Sequence, residues 1–258
     1  PMVTEPWDMN DLMYQIAGFT GDIDELTEHI AQSMESDIRE ASAGHDSPIK
    51  AALWSLSQSR KPASILGAEG RYTRESRTGR YAQVMSFGQM IGPGPPLFRV
   101  RQLLALVDAG LAHFLGDHPT LAIEADHFTL TSGPRSASAP TLVDAFMHRP
   151  DIRTAGDSMT RCLVDSGRVR PFPDHGQPTG SPETDGATRR TVHPDGELDA
   201  RLHIVGIPTY SQWPDTTISP MPGTDPLMLQ ETDKAAGSLL AVVRLSLIHI
   251  SEPTRPRL

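Results

Sequence analysis

Leu202-His203-Ile204-Val205-Gly206-Ile207-Pro208-Thr209, residues 202–209, form the apolar run and turn from which we predict the fold class. A short aliphatic run that ends at Gly and Pro predicts a strand over 201–207 followed by a turn. A second compact apolar run, 141–146, predicts another strand. Fully apolar strands are typical of a sheet that is covered on both faces. Ligands of open α/β sheets bind beyond the carboxyl ends of strands, so 206–209 is a candidate for cofactor contact. An ordinary strand-ending turn explains the spacing equally well.

Capping residues and apolar spacing typical of helices dominate the N-terminal side of the sequence. Asp22 with Glu25 three residues later indicates a capping box, and apolar residues recur at helical spacing as far as Gly44, so we expect a helix over 22–43. Similar patterns predict helices over 47–59, 97–109, 156–166 and 229–243. Residues 61–91 lack a clear period and predict turns or a short broken helix.

Strand signals follow the third helix. A short strand is expected over 111–116, a β-hairpin over 120–132 that turns near Ala125 and Asp126, and a loop or edge hairpin over 171–198. Helices first, then strands alternating with helices, indicate the α/β class. We divide the chain into a mainly helical segment, 1–91, an α/β domain, 92–244, and a tail, 245–258.

Composition excludes several classes of protein. The 258 residues carry a net charge of −9, which argues against a nucleic-acid or anionic-membrane surface. The single cysteine, Cys162, excludes a disulfide framework, and its place on an apolar helix face predicts a buried thiol. No apolar run reaches the roughly 20 residues that span a bilayer, and we expect a cytoplasmic protein. Of the 23 basic residues 20 are Arg, a bias typical of GC-rich genomes.

Motif searches leave the chemistry open. No Gly-x-Gly-x-x-Gly follows a strand, and the sequence has no nucleophile elbow, Walker loop or His-Glu-x-x-His. The histidines lack a metal-binding spacing, so we predict no metal site and assign no catalytic residue. Arg99 and Arg101 could reach a cofactor or form a solvated helix flank. The run Pro222-Gly223-Thr224-Asp225 precedes the last helix, whose free N–H groups could face a ligand.

Several phrases, in this order, resemble the FAD/NAD(P)-binding protein family of GC-rich bacteria. They are Ser47-Pro48-Ile49-Lys50-Ala51-Ala52, Gly94-Pro95-Pro96, Gln102-Leu103-Leu104-Ala105-Leu106-Val107-Asp108-Ala109-Gly110, Leu142-Val143-Asp144-Ala145, Gly206-Ile207-Pro208-Thr209, and Pro222-Gly223-Thr224-Asp225 before Glu231-Thr232-Asp233. Each phrase is weak alone, and their common order over about 45–240 carries the resemblance. The family is similar to two-dinucleotide-binding flavoproteins, which include flavin-dependent N-hydroxylases.

The resemblance implies an incomplete Rossmann-like FAD/NAD(P)-binding fold with a helical segment on its N-terminal side and a β-hairpin insertion. It implies FAD as redox cofactor, NAD(P)H as hydride donor, and an oxidoreductase of the monooxygenase kind acting on a small molecule. The residues expected near the flavin are Gly206, Pro208, Thr209, Gly223, Thr224 and Asp225.

Two departures from the family bear on activity. The glycine loop that holds the FAD pyrophosphate is not in the sequence, and Phe146 follows Asp144-Ala145 where Thr-Gly is common. We therefore expect this chain alone not to retain FAD. The alternative is a non-catalytic nucleotide-binding or interaction protein with a degenerate flavoprotein fold.

Both termini are interpreted separately. Residues 245–255 resemble the translation of a sequencing-library adapter, so 245–258 are interpreted as a non-native tail, although a native apolar strand broken by Pro253 would also explain them. The chain opens on Pro1 within a polar segment. We interpret the sequence as a gene fragment truncated at both ends.

Overall fold

The computed structural model describes residues 9–91, 94–145, 149–216 and 225–250. Its helices are α1 Met9–Met13, α2 Ile23–Ala43, α3 Pro48–Gln58, α4 Arg60–Gly67, α5 Arg74–Thr78, α6 Arg80–Ile91, α7 Leu97–Asp108, α8 Ser158–Asp165 and α9 Leu227–Ile250. Its strands are β1 Thr120–Ile123, β2 Phe128–Ser132, β3 Arg135–Ala139, β4 Pro171–Asp174, β5 Gln177–Pro182, β6 Arg190–Val192 and β7 Leu198–His203. The protein is therefore mixed α/β.

The chain forms two compact units that interleave along the sequence. The first unit comprises 1–57 and 86–146, and the second comprises 58–85 and 147–258. The domain boundaries expected at residues 91 and 244 stay a prediction. Among the described residues, no helix is both long and apolar enough to cross a membrane.

Local capping signals place the helices of the first unit. Asp22 accepts a hydrogen bond from the Glu25 backbone while the Glu25 side chain accepts from the Asp22 backbone, so the predicted capping box is confirmed. Ser47 caps α3 through the Lys50 N–H at 3.0 Å. Helix α2 packs against α7. The predicted helices over 22–43, 47–59 and 97–109 are thus confirmed.

An antiparallel three-stranded sheet completes the first unit. The predicted hairpin over 120–132 is confirmed as β1 and β2, closed by Glu124 N–H donating to the His127 carbonyl, and β3 extends it. Arg135 on β3 is buried and donates to the carbonyls of Leu115 at 2.7 Å and Gly21 at 2.9 Å. One guanidinium therefore ties the sheet to the segment before α2.

The second unit contains two antiparallel hairpins, β4–β5 and β6–β7. The hairpin expected within 171–198 is confirmed, as are the helices near 156–166 and 229–243. Residues 61–91, for which turns or a short broken helix were expected, lie mostly in three helices, α4, α5 and α6. The described strands form sheets of two or three strands that pair antiparallel, so no parallel sheet is found in the described residues. The Rossmann-like assignment stays a prediction.

Three expected strands need correction. Residues 111–116 form no strand; their backbone instead receives side-chain contacts, with Phe114 N–H donating to Thr27 Oγ1 at 3.0 Å. Residues 141–145 have no regular structure, and Phe146 lies outside the described residues. The strand expected over 201–207 is β7, which ends at His203. An apolar run of six residues does not by itself identify a strand: Leu111 and Val143 are 74% and 81% exposed and lie in irregular segments.

Two further expectations concern the C-terminal half. Cys162 is exposed, so the expected buried thiol is wrong; α8 is a short helix on the surface with no buried residue. The backbone of residues 245–250 continues α9 as helix and does not form an apolar strand.

Candidate functional site

The loop after β7 contains three of the residues expected near a cofactor. Gly206 has φ +84° and ψ −147°, a conformation that L-residues with a side chain rarely adopt. It leads into a short 3₁₀ helix, Ile207–Thr209, in which Pro208 occupies the second position. Thr209 is buried, and its hydroxyl donates to the Gly206 carbonyl at 2.9 Å. The glycine turn thus directs Thr209 into the protein interior.

The backbone N–H groups at the end of this loop and just after it donate hydrogen bonds to other groups of the protein. The five consecutive N–H groups of residues 209–213 donate to Gly206 O, Ile207 O, Ser181 Oγ and, twice, Thr209 O. Pro208 has no N–H to donate. A diphosphate cradle needs several free N–H groups that point at one anion. Residues 208–213 do not supply such a cradle.

The other expected cofactor residues lie at the start of α9. Gly223 and Thr224 are outside the described residues. Asp225 pairs with Lys61 at 3.1 Å and accepts from Gln230 Nε2 at 2.6 Å. The Lys61 ammonium, followed by the Gln230 amide, holds the pKa of the Asp225 carboxyl below its ordinary value. No hydrogen bond among the described residues joins Asp225 to the 206–209 loop, so the structure does not unite the two halves of the expected site.

Directly after this loop, Trp213 forms the centre of a buried polar cluster. The Arg189 guanidinium lies 3.6 Å from the Trp213 ring centroid, a cation–π geometry. Arg189 Nη2 donates to Glu231 Oε1 at 2.7 Å, and Arg189 Nε donates to Glu231 Oε2. The two side chains are only 1% and 8% exposed. Lys234 Nζ lies 3.3 Å from the same Glu231 oxygen.

Amide and hydroxyl groups fix the cluster to the connection between β5 and β6. The Gln212 side chain accepts from Thr184 N–H at 2.8 Å and donates to Thr184 O at 2.7 Å. Trp213 Nε1 donates to Thr184 Oγ1 at 2.7 Å. The side chains of Gln212 and Trp213 are therefore both held at Thr184. The Trp213 indole cannot rotate without breaking a buried hydrogen bond.

A second buried ion pair involves Asp215, two residues after Trp213. Arg60 donates to Asp215, and both side chains are almost fully buried. Burial raises the pKa of the Asp215 carboxyl, although the Arg60 charge opposes that shift. Burial also raises the pKa of the nearby Tyr81 hydroxyl to about 12. Tyr81 is therefore neutral over the physiological pH range.

Backbone strain concentrates in the same region. Arg189, Asp215 and Glu69 have φ of +61°, +64° and +58°, values uncommon for residues other than glycine. Glu69 N–H donates to Gln212 O at 2.9 Å, which links the third of these residues to the loop. Strained residues of this kind persist where the surroundings over-determine them. The cluster is thus a rigid, polar part of the second unit.

Sequence reasoning missed the residues of this cluster. Arg189 and Glu231 are 42 residues apart, and no local pattern marks them as partners. Glu231 stood in one of the phrases that carry the family resemblance, which was the one available signal. Arg99 and Arg101 lie on a helix flank, where Arg99 donates to Gln102 and Arg101 to Ser42.

The cluster supplies rigidity and fixed charge, but its polar groups are already bonded to one another. Its carboxylates are committed to Arg189 and Arg60, and its hydroxyls and amides bond one another. In the part of the chain that the structure describes, no group of three His, Cys, Asp or Glu side chains could hold a metal ion. Such an arrangement positions neighbouring elements; it contains no paired nucleophile and base.

The chain is similar to three proteins whose names all refer to nitrosuccinate or nitrosuccinic acid. The chain is 27% identical over 216 residues to nitrosuccinic acid synthase npaA of Aspergillus oryzae, covering 81% of the chain and 33% of that protein. It is 28% identical to L-aspartate N-monooxygenases (nitrosuccinate-forming) of Streptomyces cremeus and Streptomyces davaonensis. Each of those alignments covers 92% of the chain, and 37% and 38% of the relative. The chain therefore spans little more than a third of these relatives. No protein-family model matches it.

Proposed function

We propose that this chain is part of a flavin-dependent N-monooxygenase that oxidises the amino group of a small amino acid, with L-aspartate as the first candidate. One observation carries the proposal: three relatives whose names all refer to nitrosuccinate or nitrosuccinic acid align with 81–92% of the chain. The resemblance to two-dinucleotide-binding flavoproteins supports the same class. In such a protein FAD supplies the electron chemistry and NAD(P)H the hydride.

Residues 209–213 do not fit the diphosphate of FAD, because their N–H groups are already bonded within the protein. We therefore derive no catalytic step through the flavin from this chain. Gly206, Pro208, Thr209 and the 223–225 segment remain proposed contacts of the isoalloxazine side.

The role that we assign to this chain is positional. The buried pair of Arg189 and Glu231, the Trp213 indole and the Gln212 amide hold the loop that begins at Gly206 in one conformation. A fixed loop keeps water and oxygen access constant around a bound cofactor and costs no reorganisation during the reaction. The loop is thus a rigid wall of the site and needs no acid or base of its own.

The test uses the product of the complete reading frame that encodes this chain, purified with FAD. Consumption of NADPH or NADH and of oxygen is measured with L-aspartate, D-aspartate, L-glutamate and succinate. We expect consumption to rise with L-aspartate and to stay at background with succinate, which lacks the amine. A protein that binds no flavin, or whose flavin NAD(P)H does not bleach, would favour the non-catalytic alternative and contradict the proposal.

A further inference from the structure

Two adjacent cations at the start of α4 bind two distant parts of the second unit. Arg60 donates to Asp215, at the end of the loop that follows β7. Lys61 Nζ lies 3.1 Å from the Asp225 carboxylate and also donates to the Asp225 backbone carbonyl. The two parts of the expected site, which share no direct hydrogen bond among the described residues, are therefore both bound to one turn of α4.

The first turn of α4 is an unfavourable place for positive charge. The N-terminus of a helix carries a partial positive charge, so its first turn favours acidic side chains and disfavours cations. Here the first turn contains Arg60 and Lys61 and no acidic residue. The stability of α4 itself therefore does not explain these two residues. Their partners do, and those partners lie 155 and 164 residues further along the chain.

The two ion pairs lie in different environments. Adjacent residues of a helix point about 100° apart, and their Cα atoms are about 3.8 Å apart. Arg60 and Asp215 are almost fully buried, whereas Lys61 and Asp225 are exposed. One aspartate is thus held in the interior and the other at the surface, each within one side-chain length of the same turn.

The loop of residues 206–215 has further contacts with the segment 58–85. Arg77 donates to the Ser211 carbonyl, and the Glu69 N–H donates to the Gln212 carbonyl at 2.9 Å. The loop therefore stays bound to this segment when Lys61 is changed. Removal of the Lys61 ammonium separates Asp225 from α4 and leaves the loop in place.

We propose that Arg60 and Lys61 are positioning residues of the N-monooxygenase, which hold the 206–215 loop and Asp225 in a fixed relative position against α4. This inference rests on the proposed function, in which both parts contact the isoalloxazine side of the flavin. Neither cation touches the flavin or the amino acid. Arg60 sets the position of the loop, and Lys61 sets the position of Asp225. A displacement of about 1 Å in such an arrangement can slow a reaction by about 10²-fold.

Hydrogen exchange of the purified 258-residue chain tests the positions without flavin. Leu229 and Gln230 N–H groups donate to the Pro226 carbonyl, next to Asp225. Lys61→Met is expected to speed their exchange about twofold to fivefold, the change that corresponds to the loss of an exposed ion pair. Lys61→Arg retains a cationic donor and is expected to keep the slow exchange. Unchanged exchange in Lys61→Met would overturn the proposal.

The matched control is Lys50→Met, which removes another exposed pair of lysine and aspartate, that of Lys50 with Asp37 in the first unit. Exchange at Leu229 and Gln230 is expected to stay the same in this variant. Faster exchange there in Lys50→Met and Lys61→Met alike would overturn the proposal, because the effect would then not depend on the contact with Asp225.

The product of the complete reading frame, loaded with FAD, tests the consequence for the flavin. Lys61→Met is expected to shift the flavin absorption maximum and to lower kcat at least about tenfold, with the KM for L-aspartate and the midpoint of urea unfolding unchanged. Lys61→Arg should restore both properties, and Lys50→Met should leave them unaltered. Bound flavin with an unchanged spectrum and kcat in Lys61→Met would overturn this inference alone. A complete protein that binds no flavin would overturn the proposed function as well.

Discussion

At the scale of single residues, the second unit depends on charges that are buried in pairs. Arg189 and Glu231 share two hydrogen bonds under the Trp213 ring, whereas Lys61 and Asp225 form a single ion pair at the surface. The same kind of bond is therefore present in two environments. Removal of one partner from a buried pair leaves an uncompensated charge, and removal from an exposed pair does not.

Glu231→Gln is expected to destabilise the protein by about 3 kcal/mol, because Arg189 would stay charged and buried. Asp225→Asn is the matched control and is expected to leave the free energy of unfolding almost unchanged, since its side chain is 73% exposed and its ion pair is screened by water. Urea unfolding followed by circular dichroism measures both values. Similar losses in the two variants would show that the Arg189 pair is not a buried anchor.

Asp199 makes stability depend on pH. Two hydrogen bonds from Arg168, with further bonds from His193 and backbone N–H groups, hold the pKa of its carboxyl far below the ordinary value. A depressed folded-state pKa gives stability that is present above the unfolded pKa, about 3.9, and is lost as pH falls below it.

Asp199→Asn is therefore expected to lower stability by about 1–2 kcal/mol near neutral pH, with a gap to the unmodified protein that narrows progressively as pH falls below about 4. Thermal unfolding of both proteins over a pH series gives the gap. A difference that stays constant down to acid pH would mean that Asp199 contributes by shape and not by charge.

At the scale of elements, the loop after β7 depends on one backbone conformation. Gly206 has φ +84°, and a Cβ added there would meet nothing within 4 Å. The cost of a side chain at this position is therefore conformational, not steric crowding by neighbours. Gly237 in α9 also has open space, but its backbone is helical.

The same substitution is accordingly expected to have opposite effects at the two glycines. Gly206→Ala should destabilise by about 1–3 kcal/mol, and Gly237→Ala should stabilise by about 0.5–1 kcal/mol. Chemical denaturation followed by circular dichroism measures both. A neutral Gly206→Ala would mean that the loop is free to adopt another path.

The sequence predicts an element correctly when the signals for that element lie within its own segment of the chain. Helix α2 was predictable because Asp22, Glu25 and Gly44 are signals within its own chain segment. The hairpin of β1 and β2 was predictable for the same reason. The strand predicted over 111–116 is wrong because Phe114 N–H bonds the distant Thr27 and no neighbouring strand. Residues 141–145 have no regular structure despite their apolar pattern. The cluster of Arg189, Glu231 and Trp213 has no local signal at all.

At the scale of the whole molecule, the chain is expected to lack bound flavin when it is produced alone. Residues 209–213 offer no free N–H row, and the sequence has no glycine loop after a strand. The purified 258-residue chain should be colourless, and added FAD should keep its free fluorescence. A yellow protein that retains FAD through gel filtration would contradict this expectation and place a flavin site within the chain.

Formation of nitrosuccinate from L-aspartate is the most direct test of the proposed N-monooxygenase activity. The product of the complete reading frame is incubated with FAD, NAD(P)H, oxygen and ¹⁵N-labelled L-aspartate, and the products are analysed by mass spectrometry. We expect an oxidised, ¹⁵N-labelled derivative of aspartate whose formation requires both the reduced nicotinamide and oxygen. Complete recovery of unchanged aspartate from a protein with bound, reducible flavin would contradict aspartate as the substrate. Recovery of every tested amino acid unchanged would contradict the N-monooxygenase itself.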